Sequence, residues 1–79
     1  MKTNDDRIEA GRQLVNAYVQ QVYGREASVE EEGDDSCIID AVTELLHYAH
    51  ATGHDYQTIA DWALRHVEAE LEDEEGLNG

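Results

Sequence analysis

Apolar residues recur along most of this chain at steps of three and four, the spacing of one face of an α-helix. Three segments show the pattern, at about 4–23, 36–52 and 56–72, and no segment of useful length alternates as a strand does. The chain also contains no proline that would interrupt a helix. The sequence therefore predicts an all-α fold, a small three-helix bundle with an acidic loop and an acidic C-terminal tail.

The ends of these segments carry residues that begin or stop helices. Gly24 is placed to end the first helix, Gly53 to end the second, and Asp55 to cap the third. The short turn before Asp55 predicts that the second and third helices are near-antiparallel neighbours. The candidate caps of the first two helices are Thr3, Asn4, Asp5, Asp34, Asp35 and Ser36. The apolar stripes are Ile8, Gly11, Val15, Val19 and Val22, then Ile38, Val42, Leu45 and Ala49, then Tyr56, Ala60, Ala63 and Val67.

A length of 79 residues allows one domain, predicted at 1–72, followed by a flexible acidic tail at 73–79. Residues 25–35 are the one candidate for a long connection. Within them, Ser28 and Glu31 could form a capping box around one short helical turn, and a flexible acidic loop fits equally well.

The charge is unevenly distributed. The chain carries 19 acidic and 5 basic side chains, a net charge of −14. Residues 1–25 sum to +1, whereas residues 26–79 hold sixteen acids against Arg65 alone, a sum of −15. Phosphate backbones and anionic membranes would be repelled, so we exclude direct binding to either. With a polar N-terminus and no long apolar run, a soluble cytoplasmic protein is expected.

The density of acidic residues favours a basic protein partner. A solvated face is the simpler interpretation of any acidic run, but sixteen acids on a helical scaffold can imitate the phosphate spacing of a duplex. Trp62 could add an aromatic anchor. The predicted partner-binding residues are Glu30, Glu31, Glu32, Asp34, Asp35, Asp40, Glu44, Asp61, Trp62 and Glu68.

Histidines offer the one candidate metal site. The spacing of His47, His50 and His54 could place imidazoles along one side of a helix, although Gly53 should break the register before His54. The interpretation we favour has His47 in solvent, His50 packed beside Ile39 and Leu46, and His54 in a turn. No metal or other cofactor is therefore predicted.

Evidence for catalysis is weak. Cys37 lies near a helix N-terminus, which lowers a thiol pKa, but nearby aspartates oppose that effect, so a packed small side chain is expected. His66 could pair with Glu70 or contact a partner. The isolated glycines form no phosphate loop. We expect no enzymatic activity.

Residues 45–70 resemble small acidic helical proteins of phages, plasmids and other bacterial mobile elements. The resemblance rests on Leu45-Leu46-His47-Tyr48, Gly53, Asp55-Tyr56, Ala60, Ala63 and His66-Val67-Glu68-Ala69-Glu70. It implies phage-type accessory biology, in which such proteins often block host defence, including as anti-CRISPR and anti-restriction inhibitors. No catalytic residue comes with it.

We therefore expect an inhibitor that covers a basic surface of a nucleic-acid-binding host complex, most plausibly a CRISPR surveillance complex, in the bacterial cytoplasm. Two alternatives stay open. The first helix, with its valine stripe, Tyr18 and Tyr23, could pair with its own copy in a homodimeric accessory protein. The histidines could instead bind metal.

Overall fold

The fold is all-α, as predicted. A computed structural model describes residues 2–78, and the side chains of residues 2–73. The helices are α1 (Asn4–Tyr23), the one-turn α2 (Val29–Glu32), α3 (Asp35–Ala51) and α4 (Tyr56–Asn78). The described residues contain no strand. None of the described helices is both long enough and apolar enough to span a bilayer.

The predicted helix boundaries are close to the observed ones. The first predicted helix matches α1 at both ends. Helix α3 begins and ends one residue before the second predicted helix. The third prediction ended too soon, because α4 continues past residue 72 to Asn78. A flexible tail at 73–79 remains a prediction, since the side chains beyond residue 73 lie outside the described part of the chain.

A reciprocal pair of hydrogen bonds fixes the start of α1. The Asp6 amide donates to Thr3 Oγ1 at 3.1 Å, and the Thr3 amide donates to Asp6 Oδ2 at 3.0 Å. Thr3 is thus the cap, among the three candidates. The bond from the Thr3 backbone is the main reason that the pKa of the Asp6 carboxyl lies below its usual value. At the other end, Gly24 stops the helix with a φ of 115°, which L-residues rarely adopt.

The chain divides into two compact units, Met1–Leu45 and Leu46–Gly79. In the first, α1 holds α2 in place. The Val29 amide, at the start of α2, donates to Asn16 Oδ1 at 2.9 Å, and Arg12 Nη1 donates to Glu30 Oε1 at 3.2 Å. The one-turn helix that we considered for residues 25–35 is therefore present. Its predicted capping box is not, because the Ser28 side chain makes no cap hydrogen bond.

The core of the first unit is small. Val19 of α1 is fully buried, and Cys37 of α3 is 5% exposed. The Cys37 thiol donates to the Glu32 carbonyl at 3.2 Å. This confirms the expectation that Cys37 acts as a packed side chain. Position 33 has no room for a side chain, since a Cβ there would collide with the Val29 side chain and carbonyl.

The second unit begins with the end of α3 and a tight turn into α4. Gly53 has a φ of 85°, and the His54 amide donates to the Ala49 carbonyl at 2.9 Å, which closes the helix end. Ala49 is buried. Asp55 Oδ1 then accepts from the Gln57 amide at 3.0 Å, so Asp55 caps α4 as predicted.

Candidate protein-interaction surface

The acidic patch (Glu30, Glu31, Glu32, Asp34 and Asp35) spans α2 and the start of α3, and all five residues are exposed. Two of them also have a structural role. Glu30 accepts from Arg12, and Asp34 Oδ1 accepts from the Cys37 amide at 3.1 Å, which makes Asp34 the cap of α3. The other three carboxylates enter no ion pair within the described part of the chain.

Arg12 offsets part of this charge. Arg12 Nη2 lies 2.8 Å from Glu9 Oε1, and Arg12 Nη1 lies 3.2 Å from Glu30 Oε1. The hydrogen bonds from Arg12 lower the pKa of the Glu9 carboxyl, and those same bonds raise the pKa of Arg12. Arg12 therefore pairs with one of the five carboxylates of the acidic patch, and it shares that role with Glu9.

Asp40 and Glu44 extend the negative charge along α3. Both are exposed, and their carboxylates act on Tyr18 of α1. Partial burial first, then the two carboxylates, raise the pKa of the Tyr18 hydroxyl, which also hydrogen-bonds to Asp40. Tyr23 is raised in the same direction, chiefly by the neighbouring Cys37 sulfur and then by burial. Carboxylates of this unit therefore contribute to the raised pKa values of Tyr18 and Tyr23.

The remaining predicted residues lie in the second unit. Asp61 and Glu68 are exposed on α4. Trp62 is 53% exposed, with the Arg65 guanidinium 5.2 Å from its ring centre and the His66 ring at 6.1 Å. The predicted anchor is thus accessible, but a cation already occupies part of its ring face. The structure groups the ten residues as seven in the first unit and three in the second.

The histidines are dispersed. His54 Nδ1 lies 2.9 Å from Thr52 Oγ1, and the His50 ring meets the Tyr56 ring edge-on at 5.8 Å. The tight turn brings Tyr56 next to His50, a contact that was not predicted, while the packing of His50 beside Ile39 and Leu46 stays a prediction. His47 is exposed. Among the described residues, no group of three His, Cys, Asp or Glu side chains could hold a metal ion.

The stripe of α1 that was predicted to pair with a second copy is covered only at its centre, since Ile8 is 69% exposed and Val22 53%. Val19 is fully buried, and Val15 and Tyr18 are half-buried. Tyr23 stays exposed at the end of the helix. A homodimer through the centre of this stripe would have to displace contacts within the first unit.

Sequence reasoning did not anticipate how much apolar surface stays open on α3 and α4. Apolar side chains in or beside the predicted stripes that are roughly half exposed are Ile38, Val42, Leu45, Tyr56, Ile59, Val67 and Leu71. The breadth of the apolar pattern is the signal that could have revealed this. Neighbouring Ile39 and Leu64 widen the stripes beyond what one packing partner covers.

Comparisons with known proteins give no relative: no protein-family model, no curated protein and no solved structure matches this chain.

Proposed function

We propose that this chain is a non-enzymatic inhibitor that binds a basic nucleic-acid-binding surface of another protein. Its target would be a host defence complex, most plausibly a CRISPR surveillance complex in a bacterial cytoplasm. The observation that supports this proposal is the exposure of the acidic patch on a helical scaffold, with little neutralisation by bases of the same chain.

Charge density makes the proposal specific. Glu30, Glu31 and Glu32 are consecutive in α2, and a helix rises about 1.5 Å per residue. A DNA duplex carries one phosphate charge per about 1.7 Å of its axis. A channel of Lys and Arg side chains that accepts a duplex would therefore meet a similar density of negative charge on α2.

The hydrogen bonds of the first unit preorganise this charge. Asn16 and Arg12 hold α2 from one side, and Asp34 caps α3 from the other. A partner would not need to order a flexible loop, which lowers the entropic cost of binding. Long-range attraction would speed association and make it sensitive to salt.

The test replaces the five carboxylates of the acidic patch by amides, in the variant E30Q/E31Q/E32Q/D34N/D35N. Asp34 must become Asn, since an Ala would also remove the cap of α3. The control is D5N/D55N/D73N, which removes three exposed charges that do not belong to the acidic patch. The assay measures displacement of a labelled target duplex from a purified CRISPR surveillance complex.

We expect the unmodified chain to displace the duplex and the control to do so nearly as well. The five-amide variant should require at least about tenfold more protein, because each 1.4 kcal/mol of lost attraction is a factor of ten. Its binding should also depend less on salt. Equal displacement by the five-amide variant would reject the acidic patch as the binding surface.

A further inference from the structure

Helix α2 is too short to be stable by itself. It has four residues, and none of them is buried. The first turn of a helix costs more conformational entropy than its hydrogen bonds return, so isolated helices shorter than about 12–15 residues are marginal in water. The helical state of α2 therefore depends on contacts from the neighbouring helices.

The start of α2 is capped by a residue of another helix. The Val29 amide donates to Asn16 Oδ1 of α1 at 2.9 Å, in a partly buried hydrogen bond. Ser28, which precedes α2, makes no cap hydrogen bond with its side chain. A helix leaves its first amides without partners of its own, and an amide that loses its acceptor in a partly buried place costs free energy. Asn16 thus supplies the cap that the local sequence does not.

Two further contacts reach α2, and both are weaker. Arg12 and Glu30 form an ion pair at 3.2 Å whose side chains are 41% and 61% exposed, and exposed pairs contribute little and are screened by salt. At the other end, the Cys37 thiol donates to the Glu32 carbonyl at 3.2 Å, and a thiol is a weak donor. The hydrogen bond from Val29 to Asn16 therefore contributes most to keeping α2 in place.

We infer that α2 opens and closes as one unit while α1 and α3 stay folded, and that Asn16 is the positioning residue that keeps it closed. The closed state places Glu30, Glu31 and Glu32 in one helical turn, and the open state disperses them. This inference goes beyond the proposed function, because it concerns the free chain and holds whatever partner binds.

Hydrogen exchange of single amides, measured by NMR on the full chain, tests the inference. The Glu31 and Glu32 amides donate to the Ser28 carbonyl, and the Gly33 amide donates to the Val29 carbonyl. None of these three bonds involves Asn16, so their exchange reports the opening of the whole turn.

Three variants are compared with the unmodified chain. N16A removes the acceptor, and it does not weaken α1 because Ala is a better helix former than Asn. N16D keeps an oxygen acceptor at the same position. Q21A is the matched control, since it removes an exposed amide side chain that lies about 140° around α1 from Asn16.

We expect N16A to speed the exchange of the Glu31, Glu32 and Gly33 amides together by about fivefold, the change that corresponds to losing one intramolecular hydrogen bond. N16D and Q21A should stay within about twofold of the unmodified chain. Interior amides of α1 and α3 should exchange at the same rate in all four proteins.

Faster exchange of the Val29 amide alone would overturn the inference, because Asn16 would then hold one amide and not the turn. Equal acceleration throughout α1 and α3 would also overturn it, since α2 would not open separately. The same holds if N16D exchanges as fast as N16A, or if the three amides are unprotected in the unmodified chain. No partner enters this experiment, so the duplex-displacement assay judges the proposed function separately.

Discussion

Asp34 is predicted to have two separable roles, one in stability and one in binding. Its Oδ1 accepts the Cys37 amide at 3.1 Å and so caps α3, and its charge belongs to the acidic patch. D34A removes both the acceptor and the charge. D34N removes the charge but keeps an oxygen acceptor, and Asn is as good a helix cap as Asp.

The magnitude follows from these two terms. Losing a cap of this kind costs about 1 kcal/mol, within a range of about 0.5–2. Losing the charge relieves repulsion from exposed Glu32 and Asp35, worth a few tenths of a kcal/mol in the opposite direction. The relief is common to both variants. D34A should therefore be about 1 kcal/mol less stable than D34N, and D34N close to the unmodified chain.

Urea unfolding followed by circular dichroism measures this difference. For a small domain a difference of 1 kcal/mol moves the urea midpoint by up to about 1 M, and the thermal midpoint by about 4–8 °C. In the duplex-displacement assay, D34A and D34N should weaken binding equally, since both lose the same charge. Equal stability of the two variants would refute the capping role, and unequal binding of folded proteins would refute the purely electrostatic one.

Further perturbations probe the packing and charges of the first unit. Gly33→Ala should lower the free energy of unfolding by about 1–3 kcal/mol, because the added Cβ collides with Val29; an unchanged urea midpoint would contradict that contact. The hydroxyls of Tyr18 and Tyr23 should ionise above their usual pKa of 10.0 in an ultraviolet titration. Since the unfolded chain loses those protons first, stability should be full below pH 10.0 and fall as pH rises above it; a pH-independent alkaline stability would contradict this. Arg12→Gln should cost at most about 1 kcal/mol, because both of its ion pairs are exposed, and a larger loss would show that the pairs are more than surface contacts. Added salt should raise the thermal midpoint by screening the net charge of −14, and a fall would contradict dominant repulsion.

The helices of this chain are readable from sequence because their ends carry local signals. Gly24, Gly53 and Asp55 act through their own backbone or through residues two or three positions away, which a linear pattern contains. The end of α4 was missed because an acidic composition suggests disorder, whereas Glu and Leu are also good helix formers.

The tertiary features were harder to predict. The bond from Asn16 to the Val29 amide joins residues thirteen positions apart, and no local rule pairs them. The exposure of the apolar stripe on α4 was not predicted, since periodicity shows that a face is apolar, and only the breadth of the pattern indicates that one neighbour does not cover it.

The acidic residues could be located from sequence, but their roles could not be separated. The position of every carboxylate in the acidic patch is read directly from the sequence. Only the structure shows that Glu30 is paired with Arg12 and that Asp34 is a cap, whereas Glu31 and Glu32 enter no ion pair in the part of the chain described. These distinctions decide which substitutions test binding without disturbing the fold.

The most direct test of the proposed function is a nuclease-treated pull-down from a CRISPR-bearing bacterial lysate, with retained proteins identified by mass spectrometry. The tagged chain and its five-amide variant E30Q/E31Q/E32Q/D34N/D35N are compared side by side. We predict that the unmodified chain retains a basic nucleic-acid-binding complex that moderate salt releases, and that the variant does not. Recovery of the bait alone, or of the same proteins with both, would contradict the proposed function.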